Sequence, residues 1–480
     1  MRLPPSARLR LRNSPLRCVL GVRYNKEDGA GFFCAGVNGK DTFLMRVCFY
    51  TLGCKVNLNE TGALEQLFRG AGFTVVQEGE EADVYIVNSC TVTNFGDQKS
   101  RKWLRRAKRE HPGAVTVLTG CYPQAFPEEA AQFLEADLVC GNGDRKAILE
   151  NVQLLLQGHE RIVSVQPHVR GELFEELPVE RFETHTRAFI KVEDGCNRQC
   201  AYCVIPRARG PVRSRSEESI LAELHQLAAA GYQEVVLSAI SLPSYGQDTG
   251  TDLVELVEHC AAVPGIQRIR LGSLDPDMLT PEAMARLAAV DKLCPQFHLS
   301  LQSGCTATLR RMRRVYTAQQ YAQVVDGLRA AYGDRPVTFT TDCICGFPGE
   351  TEADFAESCE FLRQIGFLKV HVFPYSRRSG TPAYDFPQQI HEREKQRRSR
   401  EMNAVAEQVR TQVLAGFEGT EDEVLLETPL SGTLFTGYTR LYIPVVISVP
   451  GGVSGQIVRA RLGRYDGERV RAELCSMDKS

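Results

Sequence analysis

From Met45 onward the chain alternates short apolar strands with helical segments, and this alternation limits the folds open to it. MRVCFYTL reads as a strand and NETGALEQLFRGAG as a helix. FTVV and DVYIVNSC are strands, NFGDQKSRKWLRRAKREH is a helix stopped by Pro112, and AVTVLTGCYPQ is a strand. Strands separated by helices form a parallel sheet covered on both faces. Residues 45–155 are therefore expected to be an α/β domain with a doubly wound parallel sheet. Residues 156–185 lose the pattern and read as a linker. A second series occupies 186–416, with strands RAFIKVED, QEVVLSAI, QRIRLGSL, QFHLSLQS, VTFTTDCICG and LKVHVFPYS. Six β/α units predict a partial (β/α)6 barrel, shorter than the eight-unit form. Residues 389–416 read as one charged helix. Residues 417–480 carry β-branched runs punctuated by Gly and Pro, which predicts a small all-β domain.

Composition removes several classes. A net charge of −2 excludes a globally basic nucleic-acid binder but not a local basic face. No apolar run approaches the length of a membrane span. The chain has 17 cysteines, and CVLGV at 18–22 is too short an apolar run for a secretory signal. Reduced thiols, some of them metal ligands, are expected instead of a disulfide framework. Residues 1–44 carry Arg2, Arg8, Arg10, Arg12, Arg17 and Arg23 before any acidic residue and show no apolar period. They read as a disordered extension. It is either an organellar transit peptide or the result of a start codon set upstream of true initiation at Met45. The second fits better, because MRVCFYTLGC opens directly with a strand.

EDGCNRQCAYCVIP (193–206) holds Cys196, Cys200 and Cys203 just after the first strand of the second series. Parallel β/α sheets build their active sites at such strand ends. A structural zinc needs four protein ligands, so a distant fourth leaves zinc open. A [4Fe–4S] cluster also normally has four thiolates, and with three, one iron keeps a position for a small molecule. Asn197, Arg198 and Gln199 make a chance cluster of core cysteines the poorer reading. A second trio is dispersed: Cys54 in YTLGCKVN, Cys90 in VNSCTVTN and Cys121 in LTGCYPQ each follow a strand. In a parallel sheet those ends lie on one edge and can converge. Each is also readable as a small buried hydrophobe. Gly53 and Gly120, which permit tight turns, weigh against that. Cys48 and Cys140 read as core.

Cys-x3-Cys-x2-Cys, with Tyr202 before its last cysteine, resembles the radical S-adenosylmethionine (SAM) superfamily. The resemblance implies a [4Fe–4S] cluster on Cys196, Cys200 and Cys203 whose open iron binds SAM. It also implies reductive cleavage of SAM to methionine and a 5′-deoxyadenosyl radical. TLGCKVN, NSCTVTN, TGCYPQ, DGCNRQCAYCVIPRARGPVRSR, HLSLQSG and GFPGET, in that order, are similar to methylthiotransferases. That family implies a second [4Fe–4S] cluster on Cys54, Cys90 and Cys121, which supplies sulfur, and the use of two SAM. It further implies a flavodoxin-like or ferredoxin-like electron donor, a cytoplasmic location and a C-terminal domain like TRAM, an RNA-binding module. The implied reaction replaces an adenine C2–H in tRNA by C2–SCH3, a step carried by the cofactors and not by a side chain.

Three branches divide the family. Their substrates are isopentenyladenosine in tRNA, N6-threonylcarbamoyladenosine at tRNA position 37, and an aspartate of a ribosomal protein. LGCKVN, and DGCN with IPRARGPVRSR, most resemble the threonylcarbamoyladenosine branch. The first branch more often shows GCQMN and the ribosomal branch GCPKN. Both remain alternatives, with a zinc-stabilised RNA-binding protein as a remote one.

Further residues are expected around SAM. Ser238 and Ser241 in SAIS stand where the family usually has Thr-Gly and then Asn or His, and Ala239 and Ser241 depart from that pattern. Gln302 and Ser303 in LSLQSG, and Asp342 near GFPGE, either line a cavity or turn the chain. Arg209 either neutralises a SAM carboxylate or phosphate, or is solvated. For RNA, the helix around KSRKWLRRAKRE offers Lys99, Arg101 and Arg105 among seven cations. Trp103 within it reads as core. Arg393 to Arg400 interleave with Glu392 and Glu394, as in a salt-bridged exposed helix. From Phe417 to Ser480 there are 7 Lys/Arg and 9 Asp/Glu. RNA binding there needs a patch, such as Arg440, Arg459, Arg461 and Arg464, with Tyr438 or Tyr442 for stacking.

Overall fold

The computed structural model describes residues 45–177 and 186–475, so the expectations for 1–44 lie outside the described residues. The first series forms six parallel strands: β1 (Arg46–Thr51), β2 (Thr74–Val76), β3 (Val84–Ser89), β4 (Val115–Gly120), β5 (Leu138–Cys140) and β6 (Ile162–Ser164). Their order is β2-β1-β3-β4-β5-β6. VYIVNS of β3 and VTVLTG of β4 are buried at every position, as strands covered on both faces must be. β1, β3 and β4 are neighbours, with Thr51 beside Asn88 and Ser89 beside Gly120. Their carboxyl ends therefore open onto one edge. Helices α1 (Lys55–Gly70), α2 (Asn94–Glu110) and α3 (Cys121–Ala125) begin at those ends. The sheet continues into the span read as a linker. β6 pairs with β5 but has three residues, too few to show a period.

The second series forms two four-stranded sheets. β7 (Ala188–Asp194), β8 (Arg213–Ser214), β9 (Glu234–Ala239) and β10 (Arg268–Leu271) are ordered β10-β9-β7-β8. β11 (Ser273–Leu274), β12 (Gln296–Leu299), β13 (Thr338–Cys345) and β14 (Lys369–Pro374) follow in sequence order. β10 and β11 are one run of chain interrupted at Gly272, where a Cβ would stand 3.2 Å from the Leu237 carbonyl oxygen. The two sheets thus continue one another as an incomplete barrel. All six expected strands are present, with QRIRLGSL split into β10 and β11 at Gly272, and the two-residue β8 is an addition. The N-terminal domain packs on this barrel through α1, whose Asn59 Nδ2 donates to the Phe189 carbonyl (2.7 Å).

Helix Glu392–Ala415 packs along β14 and leads to the last domain. There β15 (Glu421–Ser431), β16 (Leu434–Thr439), β17 (Pro444–Ser448), β18 (Ile457–Tyr465) and β19 (Val470–Leu474) close in the order β15-β16-β17-β19-β18. Val424, Leu426, Ile443, Val445 and Leu462 fill this small barrel.

Candidate active site

Cys54 ends the turn after β1, Cys90 directly follows β3, and Cys121 directly follows β4. Two glycines make the approach possible. At Gly53 (φ +130°) a Cβ would sit 2.4 Å from Asn57 Oδ1 and 3.2 Å from Cys90 Cβ. At Gly120 (φ +95°) it would strike the Ser89 backbone at 2.6 Å. Asn57 accepts from the Cys54 backbone N–H (3.2 Å), and its Nδ2 donates to Asn88 Oδ1 (3.2 Å), which ties the ends of β1 and β3 together. Burial pushes the Cys90 thiol up to about 12, and the neighbouring Cys121 and Cys54 add to the rise. Each thiol feels the others, so they share one locality.

The second trio occupies the loop after β7. Its backbone is fixed by Cys196 N–H to the Gly210 carbonyl (3.0 Å), Ala201 N–H to the Met312 carbonyl (2.9 Å) and Cys203 N–H to the Cys200 carbonyl (3.1 Å). Burial raises the Cys203 thiol to about 12, with Cys200 and Cys196 adding to it. Arg314 Nη1 donates to Cys200 Sγ (3.3 Å), and its Nη2 pairs with Asp275. Neither trio brings all its sulfurs within 4.8 Å of one another, as the ligands of a single ion would be. Three thiolates without a fourth are the donor set of a [4Fe–4S] cluster that keeps one iron open, whereas a structural zinc takes four protein ligands.

Two adjoining cavities lie between the trios. The larger, about 500 Å³, is lined by Cys54 and Lys55, by barrel residues including Ser238, Asp342 and His298, and by Tyr442 of the C-terminal domain. The smaller, about 200 Å³, is lined by Val92, Thr93, Tyr202, Cys203, Gln302 and Asp342. Asp342 and Phe373 border both. A third hollow of about 600 Å³ borders the same loop through Cys196, Arg198 and Arg207, but no cysteine of the N-terminal trio reaches it.

The other sequence-derived candidates divide. Tyr202, Gln302 and Asp342 line the cavities. Gln302 is a non-glycine residue at φ +68°, locked by its N–H to the Asp342 carbonyl (2.9 Å) and by Ile344 N–H to its own carbonyl (2.8 Å). Such strained positions concentrate at functional sites. Ser238 Oγ donates to the Ile190 carbonyl (3.1 Å). The Ser241 N–H donates to Glu193 Oε2 (2.8 Å), and its hydroxyl sits beside Cys196. Ser303 lines neither cavity. It is buried against Ser358 (3.1 Å) and accepts from the Cys305 N–H (3.2 Å), so it turns the chain.

Arg209 is not solvated and bears no free guanidinium. It is fully buried, with Nε donating to Cys121 Sγ (3.2 Å), Nη2 to Glu60 (3.1 Å) and Nη1 to Asp194 (3.3 Å). Lys191 bridges Glu60 (3.0 Å) and Asp194 (2.6 Å), and Arg145 adds a contact to Glu60 (2.5 Å). Burial alone would raise the Glu60 carboxyl, but Arg145, Arg209 and Lys191 hold it at about 2. Sequence reading missed this network because residues 60, 121, 145, 191 and 209 meet only in the tertiary fold. It also missed Arg314 and Lys55.

On the outer surface, Lys99 lies over the Tyr50 ring (5.9 Å) and Arg101 donates to the Tyr122 hydroxyl (2.7 Å). Arg105 pairs with Glu135 (2.9 Å) and Arg459 with Glu421 (3.2 Å). Trp103 stacks on Tyr50 (4.7 Å) with its Nε1 donating to Glu78 (3.0 Å). Arg440 faces the large barrel, donating to the Asp291 and Leu293 carbonyls. Tyr438 and Tyr442 stack on each other (4.6 Å) against Arg187. All three serve the seam between the domains, which explains why an apparent RNA patch forms in so acidic a segment.

Comparison with known proteins agrees with this arrangement. Residues 190–362 match the radical SAM superfamily, and residues 46–141 match the uncharacterized protein family UPF0004. The chain is 38% identical over 422 residues to the threonylcarbamoyladenosine tRNA methylthiotransferase MtaB of Bacillus subtilis, covering 87% of this chain and 93% of that protein. It is 32% identical over 424 residues to the tRNA-2-methylthio-N(6)-dimethylallyladenosine synthase of Carboxydothermus hydrogenoformans, covering 86% and 95%. Among solved structures, the radical SAM methyltransferase TsrM of Kitasatospora setae shares the fold with a TM-score of 0.52 at 15% identity, over 70% of this chain and 73% of that one. With relatives of this similarity along nearly its whole length, the chain belongs to the radical SAM methylthiotransferase family.

Proposed function

We propose that this radical SAM enzyme converts N6-threonylcarbamoyladenosine next to the tRNA anticodon to its 2-methylthio derivative. In this reading Cys196, Cys200 and Cys203 hold the SAM-binding [4Fe–4S] cluster, and Cys54, Cys90 and Cys121 hold a second one. The carrying observation is that both trios border adjoining cavities, whose lining includes Cys54 on one side and Cys203 on the other. Higher identity to the threonylcarbamoyladenosine relative than to the dimethylallyladenosine one supports the substrate branch.

When bound, the two clusters and SAM supply the radical and the sulfur. The chain's own residues hold, orient and exclude water. Tyr202, Gln302 and Ser241 are the side chains for SAM, and Asp342, between the cavities, faces both SAM and the base. A flavodoxin-like or ferredoxin-like protein delivers the electron, and the enzyme works in the cytoplasm with its tRNA. No helix among the described residues is long and apolar enough to cross a membrane.

Mass spectrometry of tRNA nucleosides from cells lacking the gene tests the reading. The 2-methylthio derivative should vanish while N6-threonylcarbamoyladenosine persists. An unchanged nucleoside profile, or loss of methylthio-isopentenyladenosine instead, overturns it. Reconstituted protein should hold about eight iron atoms, four per cluster.

A further inference from the structure

Lys55 opens α1 beside Cys54 and lines the 500 Å³ cavity.

Of the other cations lining this cavity, Arg187 and Arg270 are already engaged, while Lys369 has no ion pair among the described residues. Arg187 pairs with Glu427 (2.6 Å) and lies over Tyr438 and Tyr442. Arg270 pairs with Glu234 (2.7 Å) and donates to the Arg440 (2.9 Å) and Thr439 (2.6 Å) carbonyls. Asp342, the acid in the cavity wall, faces His298 at 3.6 Å. Among the described residues, Lys55 has no carboxylate within ion-pair distance and no side-chain hydrogen bond. Its side chain is exposed into the cavity that it lines. A cavity walled by a cation that no carboxylate answers is arranged for an anion.

We propose that Lys55 is a specificity-determining residue that binds the carboxylate of the N6-threonylcarbamoyl group and so selects that nucleoside over its isopentenyl counterpart. The proposal rests on the substrate reading above. The threonyl carboxylate gives the ammonium a charge-assisted hydrogen bond. An isopentenyl tail gives it nothing and leaves it unpaired, and a site built this way rejects the analogue that lacks the polar group.

The test is equilibrium binding of anticodon stem-loop RNAs to the full chain with its clusters reconstituted, followed by fluorescence anisotropy. Three RNAs differ only at the modified adenosine. One has the threonylcarbamoyl group with a free carboxylate, one has that carboxylate converted to a carboxamide, and one has the isopentenyl group. Wild-type protein should bind the carboxylate RNA about tenfold or more tighter than the carboxamide RNA. Lys55→Gln and Lys55→Met should each lose that gap, and Lys55→Arg should keep it. If the wild type shows no gap, or either neutral variant retains it, the role of Lys55 is overturned while the substrate reading stands. If the wild type instead prefers the isopentenyl RNA, the substrate reading itself falls.

Discussion

Arg209 Nε donates a hydrogen bond to Cys121 Sγ at 3.2 Å across the boundary between the N-terminal sheet and the barrel. The same guanidinium binds Glu60 on α1 and Asp194 at the end of β7. Asp194 Oδ1 in turn accepts from the Gly195 N–H (2.8 Å), immediately before Cys196. One buried side chain therefore links Cys121 of the N-terminal trio to the strand that launches Cys196, Cys200 and Cys203. The relative position of the two cysteine sets depends on this link, since each stands on a different domain.

Arg209→Ala should destabilise the protein by roughly 3–5 kcal/mol, because Glu60 and Asp194 lose their shared partner while remaining buried. Arg209→Lys should recover part of that, since a single ammonium cannot reach Glu60, Asp194 and Cys121 with the geometry of a guanidinium. Thermal denaturation and iron content per chain measure both effects. Wild-type melting of Arg209→Ala would show that the network contributes nothing.

Glu60 makes the domain contact acid-sensitive. Its folded carboxyl is held at about 2 against an ordinary 4.5, since the attraction of Arg145, Arg209 and Lys191 outweighs burial. A depressed carboxyl stabilises fully above its unfolded value, and that stability is lost as pH falls toward 2. Urea unfolding should thus lose stability between about pH 4.5 and 2, with Glu60 contributing on the order of 3 kcal/mol. Glu60→Gln should be less stable at pH 7 and show a flatter acid limb. An acid limb as steep as that of the wild type would remove Glu60 as its source.

The cysteine trios were legible because each marks a strand end, and strand ends of parallel sheets share an edge whatever the helices between them do. The closed C-terminal barrel was legible from its strand texture, but its surface was not. Arg440 and Tyr442 look like an RNA patch when only neighbours in sequence are counted, and their partners, Asp291 and Arg270, lie about 150 residues or more away. Arg209 was ambiguous for the same reason: burial is set by packing between domains, which local pattern does not encode. Lys55 passed unremarked within LGCKVN, because its lack of a counter-ion among the described residues shows only in three dimensions.

Substituting one cysteine from each trio separates their roles. Under the proposed ligand sets, Cys200→Ala should abolish cleavage of SAM to 5′-deoxyadenosine. Cys90→Ala should leave cleavage in place, uncoupled, and abolish methylthio transfer. Chromatography of 5′-deoxyadenosine beside nucleoside analysis reads both. Full coupled turnover in Cys90→Ala would exclude Cys90 as a ligand.

Arg314 sets a cation against Cys200 Sγ (3.3 Å) and is itself held by Asp275 and by the Tyr316 hydroxyl (3.0 Å). Hydrogen bonds and charge at cluster sulfurs tune reduction potential, and a cation favours the reduced, more negative state. Arg314→Met should therefore lower the potential of the SAM-binding cluster, as followed by an EPR-monitored redox titration. An unchanged or raised potential would mean that Asp275 fully offsets the guanidinium.

The charges on α2 are not equivalent, and their partners say which can reach RNA. Arg105, Arg106 and Lys108 are paired with Glu135, Glu110 and Asp137. Among the described residues neither Lys102, which is exposed, nor Lys99, which lies over the Tyr50 ring, has a carboxylate within ion-pair distance. A cation already neutralised gains little from a phosphate, whereas a free one releases a counter-ion when it binds. Lys99→Ala and Lys102→Ala should each weaken tRNA binding and lower the slope of log K against log salt by about one. Arg440→Ala should leave that slope unchanged and lower the melting temperature instead, because its guanidinium donates to backbone carbonyls in the seam. A salt slope that falls only in Arg440→Ala would return the C-terminal barrel to the RNA interface and remove α2 from it.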